Sequence, residues 1–109
     1  MKTSLIQIQC SVPTKKVAKK IAKKLVEEQL CACVNILPKM NSFYIYEGEF
    51  CEDEELLLLI KTDKKHYKAV EMRILSLHPY DVPEIIALPI INGSDDYIGW
   101  AKKALKQSS

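Results

Sequence analysis

Along residues 6–12, apolar positions alternate with polar ones, and the apolar positions are Ile6, Ile8, Cys10 and Val12. A period of two predicts a strand with one face turned toward the core. Thr14 follows, and its side chain can accept one of the free N–H groups at the start of a helix. The next apolar residues lie on one half of a helical wheel and six lysines lie on the other half. This pattern predicts an amphipathic helix directly after the first strand.

The middle of the chain has the composition of strands in three stretches. Residues 31–37 form the first stretch, which stops at Pro38. Residues 39–42 indicate a bend or a bulge, and the second stretch, residues 43–46, continues through Glu47-Gly48-Glu49. The segment Cys51-Glu52-Asp53 predicts a turn. The uninterrupted apolar run at residues 56–60 then predicts the third stretch as a buried strand.

The second half of the chain predicts a helix followed by another strand. Thr62 or Asp63 can cap the helix, and Pro79 ends it. Residues 85–91 predict a strand that is apolar on both faces. Because proline has no backbone N–H for a ladder, we expect Pro89 at a sheet edge or at a bulge.

The predicted order of elements is β-α-β-β-α-β, followed by a last helix that Ser94 can cap. This is the α+β, ferredoxin-like order, and residues 1–109 form one domain of this kind. Both crossover helices should cover the same face of an antiparallel sheet. The strands predicted at residues 56–60 and 85–91 are nevertheless apolar on both faces. We therefore expect another copy of the chain to cover the second face.

Composition narrows the class of protein. The chain is 48% hydrophobic and 28% charged, which is typical of an ordinary globular domain, and its net charge of +2 is too small to indicate nucleic-acid binding. No apolar run is long enough to cross a bilayer, and no secretory signal is evident. We expect a cytoplasmic protein without a membrane partner, in which the four cysteines stay reduced.

Several segments together resemble the CutA1 divalent-cation-tolerance family, in order and along essentially the whole chain. They are Cys33-Val34-Asn35-Ile36-Leu37-Pro38, Tyr46-Glu47-Gly48, Leu57-Leu58-Leu59-Ile60-Lys61-Thr62, His78-Pro79-Tyr80-Asp81-Val82-Pro83-Glu84-Ile85 and Asp96-Tyr97-Ile98-Gly99-Trp100. The resemblance implies a stable homotrimer with the architecture of the PII signalling proteins. It also implies a role in tolerance of copper and other divalent cations.

The resemblance also implies one set of candidate metal ligands. Copper binding in bacterial relatives is attributed to a strand cysteine, which matches Cys10, and to two adjacent histidines before a Pro-Tyr pair. His78 matches the second histidine, but Leu77 stands in place of the first. Thiolate and imidazole suit copper, and Glu84 could add an oxygen ligand. Each also has a structural alternative: Cys10 as a core residue, His78 as a helix C-cap, and Glu84 as a partner of backbone groups.

We expect structural roles for the other cysteines, for the lysines of the first helix and for Trp100. Cys31 and Cys33 share a strand face but have no further ligand, and Cys51 is expected to be exposed. The lysines of the first helix indicate a solvated face, and Trp100 is expected to pack on the core or on a neighbour.

We predict that the chain is not an enzyme, because the sequence carries no phosphate loop, nucleophile elbow or zinc-protease motif. Two alternatives stay open. One is a PII-like regulator that binds a small ligand or a partner protein in clefts between subunits. The other is a hydrolase or isomerase built around His78-Pro79-Tyr80-Asp81.

Overall fold

The computed structural model describes residues 3–107. Its elements are strand β1 (Leu5–Val12), helix α1 (Lys15–Glu27), strand β2 (Cys33–Tyr46), strand β3 (Glu49–Asp63), helix α2 (Tyr67–Leu77), strand β4 (Ile85–Pro89) and helix α3 (Asp95–Ala104). A 3₁₀ turn, Lys64–His66, precedes α2. This is the predicted α+β, ferredoxin-like order with the extra terminal helix. Residues 1–2 and 108–109 of the predicted domain lie outside the described part.

The four strands form one antiparallel sheet in the order β2-β3-β1-β4. Helices α1 and α2 cover one face, where Ile8, Cys10, Leu58 and Ile60 are completely buried. These residues occupy even positions of β1 and β3, so the odd positions face the other side of the sheet. Helix α3 packs at one end of that other side, against Leu5 and Ala32 among others.

The helix starts follow the local sequence signals. Thr14 and Ser94 each accept a hydrogen bond from the backbone N–H three residues later, which confirms both predicted caps. At the second helix, the carboxylate of Asp63 caps the 3₁₀ turn by accepting from the His66 backbone N–H. Thr62, the other predicted cap, is buried and donates its hydroxyl to the Leu30 carbonyl. Helix α2 ends at Leu77, two residues before Pro79.

The hairpin between β2 and β3 differs from the prediction. The turn predicted at Cys51-Glu52-Asp53 is wrong, because these residues lie inside β3. The chain reverses instead at Glu47 and Gly48, whose φ angles of 51° and 81° are those of a two-residue type I′ turn. The expected bulge is confirmed, since the pairing register shifts between Leu37 and Met40. One extra residue there moves the following side chains of β2 to the opposite face of the sheet.

Strand β4 is shorter than predicted and lies at an edge of the sheet. It ends at Pro89 rather than at residue 91, because proline has no N–H with which to continue the ladder. The Ile90 N–H still donates to the Leu5 carbonyl at 3.1 Å, which holds the chain to β1 beyond the strand. The prediction that Pro89 lies at a sheet edge is confirmed.

Candidate functional site

The three predicted metal ligands lie near one another in the fold. Cys10 pairs with Ile85 across the β1–β4 ladder, so Glu84 is one residue away from its partner position. His78 follows α2 and reaches the carbonyl of Ser11, the residue after Cys10. Their side chains nevertheless face different environments. Cys10 belongs to the core under the helices, whereas Glu84 is exposed and lines a cleft on the other side of the sheet.

Both ring nitrogens of His78 bind backbone groups. The Nε2 atom lies 2.7 Å from the Ser11 carbonyl oxygen, to which it can only donate, and Nδ1 accepts the Tyr80 N–H at 3.1 Å. The imidazole is therefore held as the neutral Nε2–H tautomer, and neither nitrogen has a free lone pair for a metal. His78 is 8% exposed and anchors the loop that follows α2 to strand β1.

The Cys10 thiol is fully buried in the core, whereas Glu84 lines the cleft. Burial raises the pKa of the thiol to about 12, and the carboxylates of Glu84 and Glu55 add to that rise. The protonated thiol donates weakly to the Ser11 carbonyl at 3.7 Å. Within residues 3–107, no group of three or more His, Cys, Asp or Glu side chains is arranged to hold a metal ion. The predicted ligand set therefore does not fit a copper ion as the residues stand.

A cleft of about 460 Å³ opens beside these residues, on the side of the sheet opposite α1 and α2. The β2–β3 hairpin and the loop after His78 form its walls, and Ser11 lies at its base. The bulge in β2 shapes it, because after the register shift Ser42, Tyr44 and Tyr46 lie on the same face as Glu55. Aromatic side chains make up much of the wall: Phe43, Tyr44, Tyr46 and Tyr80.

The charged groups that line the cleft are acidic. Glu55, Asp81 and Glu84 line it, and among the described residues no lysine, arginine or histidine does so. The Tyr80 hydroxyl donates to Glu55 at 3.0 Å, and the Tyr44 hydroxyl donates to Asp53 next to the cleft. Burial raises the pKa of Tyr80 to about 12, and the bond to Glu55 adds to it. The bond to Asp53 raises the pKa of Tyr44.

Sequence reasoning missed Glu55, which is only 5% exposed. The available signal was its position, since Glu55 precedes the apolar run of β3 and shares a face with Leu57 and Leu59. A carboxylate at such a position must have a partner when it is buried. That partner, Tyr80, comes from a loop 25 residues further along the chain.

Outside the cleft, the part of this face that α3 does not cover carries several exposed apolar side chains in the single chain. Leu37, Ile86 and Leu88 are each more than 40% exposed there, beside the half-buried Leu57 and Leu59. Leu37 pairs with Leu57, which joins β2 to this surface through β3. We call these five residues the apolar sheet face. They form two groups on this face, because Gln7 and Gln9 of β1 lie between Leu59 on β3 and the apolar residues of β4. Clustered apolar surface of this kind favours an interaction site.

The other residues singled out from sequence are placed as follows. Cys31 is buried, which raises its thiol pKa to about 12, and Cys33 is half-buried. Cys51 is half-buried inside β3 rather than exposed in a turn. Trp100 is 51% exposed in the single chain and contacts Tyr97, with ring centroids 5.7 Å apart, so it does not pack in the core. No helix of the described residues is long and apolar enough to cross a membrane.

Comparison with known proteins agrees with the fold. A family model described as CutA1 divalent ion tolerance protein matches residues 6–104. A divalent-cation tolerance protein CutA from Thermus thermophilus is 50% identical over 93 residues, covering 85% of this chain and 90% of the relative. A crystal structure of CutA1 from Oryza sativa superimposes with a TM-score of 0.94 at 39% identity, covering 98% of both chains.

A chloroplastic CutA protein from Arabidopsis thaliana is 43% identical over 101 residues. The match covers 93% of this chain but only 56% of the plant protein, so the chain spans about half the length of that relative.

Proposed function

Because the chain belongs to the CutA1 divalent ion tolerance family, we propose that it acts in the tolerance of cells to divalent metal ions, as a homotrimer with PII-like architecture. The observation that carries the proposal is the family match over residues 6–104, supported by 50% identity to a protein named for divalent-cation tolerance. The role proposed is not enzymatic. A cytoplasmic location stays a prediction, since the name of the Arabidopsis relative places that protein in the chloroplast.

The apolar sheet face supports assembly. Its exposed leucines and isoleucine would face water in a monomer, and burying apolar surface gains about 25 cal/mol per Å². Among residues 3–107, the outer edges of β2 and β4 pair with no further strand and are available to neighbouring copies. A closed assembly of identical chains covers both features at once.

A growth assay tests the proposed function. In a host that lacks its own CutA-family gene, we expect this chain to raise the copper, zinc or cobalt concentration that still permits growth. The variant Ile86→Lys, which places a charge on the apolar sheet face, should lose that effect. Equal growth with the chain and with an empty vector, at every metal concentration and with normal protein levels, would contradict the proposal.

Copper binding by Cys10, His78 and Glu84 stays a prediction that the contacts of His78 and the burial of Cys10 do not favour. Titration calorimetry with Cu(I) and with Cu(II) tests it. From these contacts we expect wild type and the double variant Cys10→Ser, His78→Ala to give the same heats. A stoichiometric heat that only the wild type shows would restore this ligand set.

The cleft favours a second candidate function, that of a PII-like regulator binding a small ligand. Its volume of about 460 Å³ lies within the roughly 300–1,000 Å³ that is usual for small-molecule sites. It also combines apolar walls with a few polar groups, as such sites do. Ligand-induced stabilisation of the metal-free protein against heat is the corresponding readout, and its absence across a metabolite collection would count against this function.

A further inference from the structure

The ring of His66, in the 3₁₀ turn before α2, is bonded through both of its nitrogens. The Nδ1 atom lies 2.6 Å from a carboxylate oxygen of Asp63, and Nε2 lies 2.9 Å from the backbone carbonyl oxygen of Lys106. Asp63 ends strand β3, whereas Lys106 follows α3 and lies 40 residues further along the chain than His66. The ring therefore connects the start of α2 to the segment after α3, residues 105–107.

Both partners of this ring can only accept hydrogen bonds. A carboxylate and a backbone carbonyl have no proton to donate, so each ring nitrogen must supply an N–H. Only the imidazolium form carries an N–H on both nitrogens. A neutral ring would place a lone pair against the oxygen of either Asp63 or Lys106, which removes one bond and adds repulsion. The two contacts are therefore complete only when His66 carries a positive charge.

The second of the two histidines in the chain has a different arrangement. At His78 one partner accepts, the Ser11 carbonyl, and the other donates, the Tyr80 N–H. A neutral ring satisfies both partners, so these contacts do not require a charge. His66 is thus the histidine whose attachment to the fold depends on its proton.

Among the charged groups near the ring of His66, the Asp63 carboxylate acts most directly. It contacts Nδ1, and the side chains of Asp63 and His66 are only 15% and 16% exposed. Lys64 and Lys65 of the same turn and Lys106 of the bonded segment are exposed, so solvent and salt screen their repulsion. The carboxylate therefore outweighs these lysines and favours the charged ring.

The neighbouring helices add little further charge. In the first half of α2, Lys68 and Glu71 bond to each other at 3.0 Å, and burial raises the pKa of Tyr67, which keeps the phenol neutral. At the end of α1, Glu28 pairs with Arg73 at 2.8 Å. The lysines in the last turn of α3 are exposed. The balance at the ring is therefore set by its contact with the carboxylate.

The segment that His66 holds completes the packing of α3. Leu105 is 3% exposed and belongs to the core cluster that α3 forms with the start of β1. The backbone N–H of Lys106 donates to the Gln29 carbonyl at 2.8 Å, at the end of α1. The bond from His66 to the carbonyl of the same residue adds a second attachment, so its loss should loosen the end of α3.

We propose that His66 is a pH-sensitive switch, whose charged ring attaches the segment after α3 to the start of α2 and whose deprotonation releases it. Histidine is the side chain that ordinarily changes charge between about pH 5 and 8. The attachment is complete while the ring is charged and is lost as the pH rises through the titration of the ring, because the neutral form can donate to only one partner. The switch requires no metal and no ligand, and it is independent of the proposed role in metal tolerance.

Amide hydrogen exchange of the chelator-treated, assembled protein, followed by NMR at about pH 6 and about pH 8, tests the proposal. Protection factors, corrected for the intrinsic pH dependence of exchange, are the readout. The protection of the Lys106 N–H should fall at least about tenfold at the higher pH, the equivalent of one hydrogen bond to a charged group. The Ile98 N–H, which donates to the Ser94 carbonyl at the other end of α3, is the internal control and should change less than about twofold.

Two variants should abolish the pH dependence at Lys106. His66→Gln removes the titrating ring. Asp63→Asn retains an oxygen that can cap the turn, and its amide can donate to Nδ1 of a neutral ring, which then keeps both bonds without a charge. Lys65→Gln, an exposed change in the same turn, is the matched control and should behave as wild type.

The proposal fails if the wild-type protection of Lys106 does not change with pH, or if the change persists in His66→Gln or in Asp63→Asn. Nitrogen chemical shifts of the ring provide a direct check in the same samples. Both nitrogens of His66 should be protonated at about pH 6, and a neutral ring there would also overturn the switch. Unchanged protection of Ile98 shows that each variant is folded.

Discussion

At the scale of single residues, His78 shows why ligand assignments from sequence need the backbone. Its position after a helix is typical both of a C-cap and of a metal ligand. In the structure it binds the Ser11 carbonyl and the Tyr80 N–H, which joins strand β1 to the loop beside the cleft. The residue thus contributes to the cleft by positioning Tyr80, which in turn holds Glu55.

The reactivity of the individual cysteines can also be predicted. Thiolates are the reactive form, and burial raises the pKa of Cys10 and of Cys31 to about 12. In the folded protein at about pH 8, iodoacetamide should leave both unmodified while Cys51, which is half-buried on the hairpin, is alkylated. Peptide mass spectrometry locates the modified residues. Rapid modification of Cys10 in the folded protein would contradict its place in the core, and guanidinium-unfolded protein, in which all four thiols react, is the control.

At the scale of secondary-structure elements, the sequence predicts features that depend on neighbouring residues but not features that depend on distant parts of the chain. Thr14 and Ser94 were identified as caps because a cap needs only its own helix. The turn was misplaced at Cys51-Glu52-Asp53 because acidic residues usually favour loops, yet here they continue a solvated hairpin strand. Glu55 escaped notice because its burial depends on a loop distant in sequence.

Substitutions at the two residues of the hairpin turn should change the stability of the protein in opposite directions. Gly48 has a φ of 81°, where a side chain costs roughly 1–2 kcal/mol, so Gly48→Ala should lower the guanidinium midpoint of unfolding. No atom lies within 4 Å of the added Cβ, so the effect is one of backbone strain. Glu47 has a φ of 51°, and Glu47→Asn should raise the midpoint, because Asn-Gly is the preferred pair for this turn. Two changes of the same sign would argue against the type I′ turn.

At the scale of the whole molecule, α1 and α2 cover one face of the sheet, whereas apolar residues of the other face remain exposed or half-buried in a single chain. The sequence predicted this imbalance, because the strands at residues 56–60 and 85–91 are apolar on both sides. What sequence could not provide was the cleft, which depends on the bulge in β2 and on how the loop after His78 folds back. Assembly through the open face is the claim on which the proposed function depends.

A matched pair of lysine substitutions tests that claim. Ile86 on the apolar sheet face is 48% exposed and Met72 on α2 is 62% exposed, so neither change should unfold the single chain. Ile86→Lys should dissociate the assembly, because burying an unpaired ammonium group is strongly unfavourable. Met72→Lys should leave it intact. Size-exclusion chromatography separates the two outcomes, and two intact assemblies would exclude the apolar sheet face as the interface.

The most direct test of the account is the molar mass of the chelator-treated protein by light scattering, measured again after copper is added. We predict three times the mass of one chain in both conditions, because apolar burial and edge pairing, rather than a metal, drive the assembly. A monomer in both conditions would contradict the central claim, and a monomer that becomes a trimer only with copper would make the metal part of the interface.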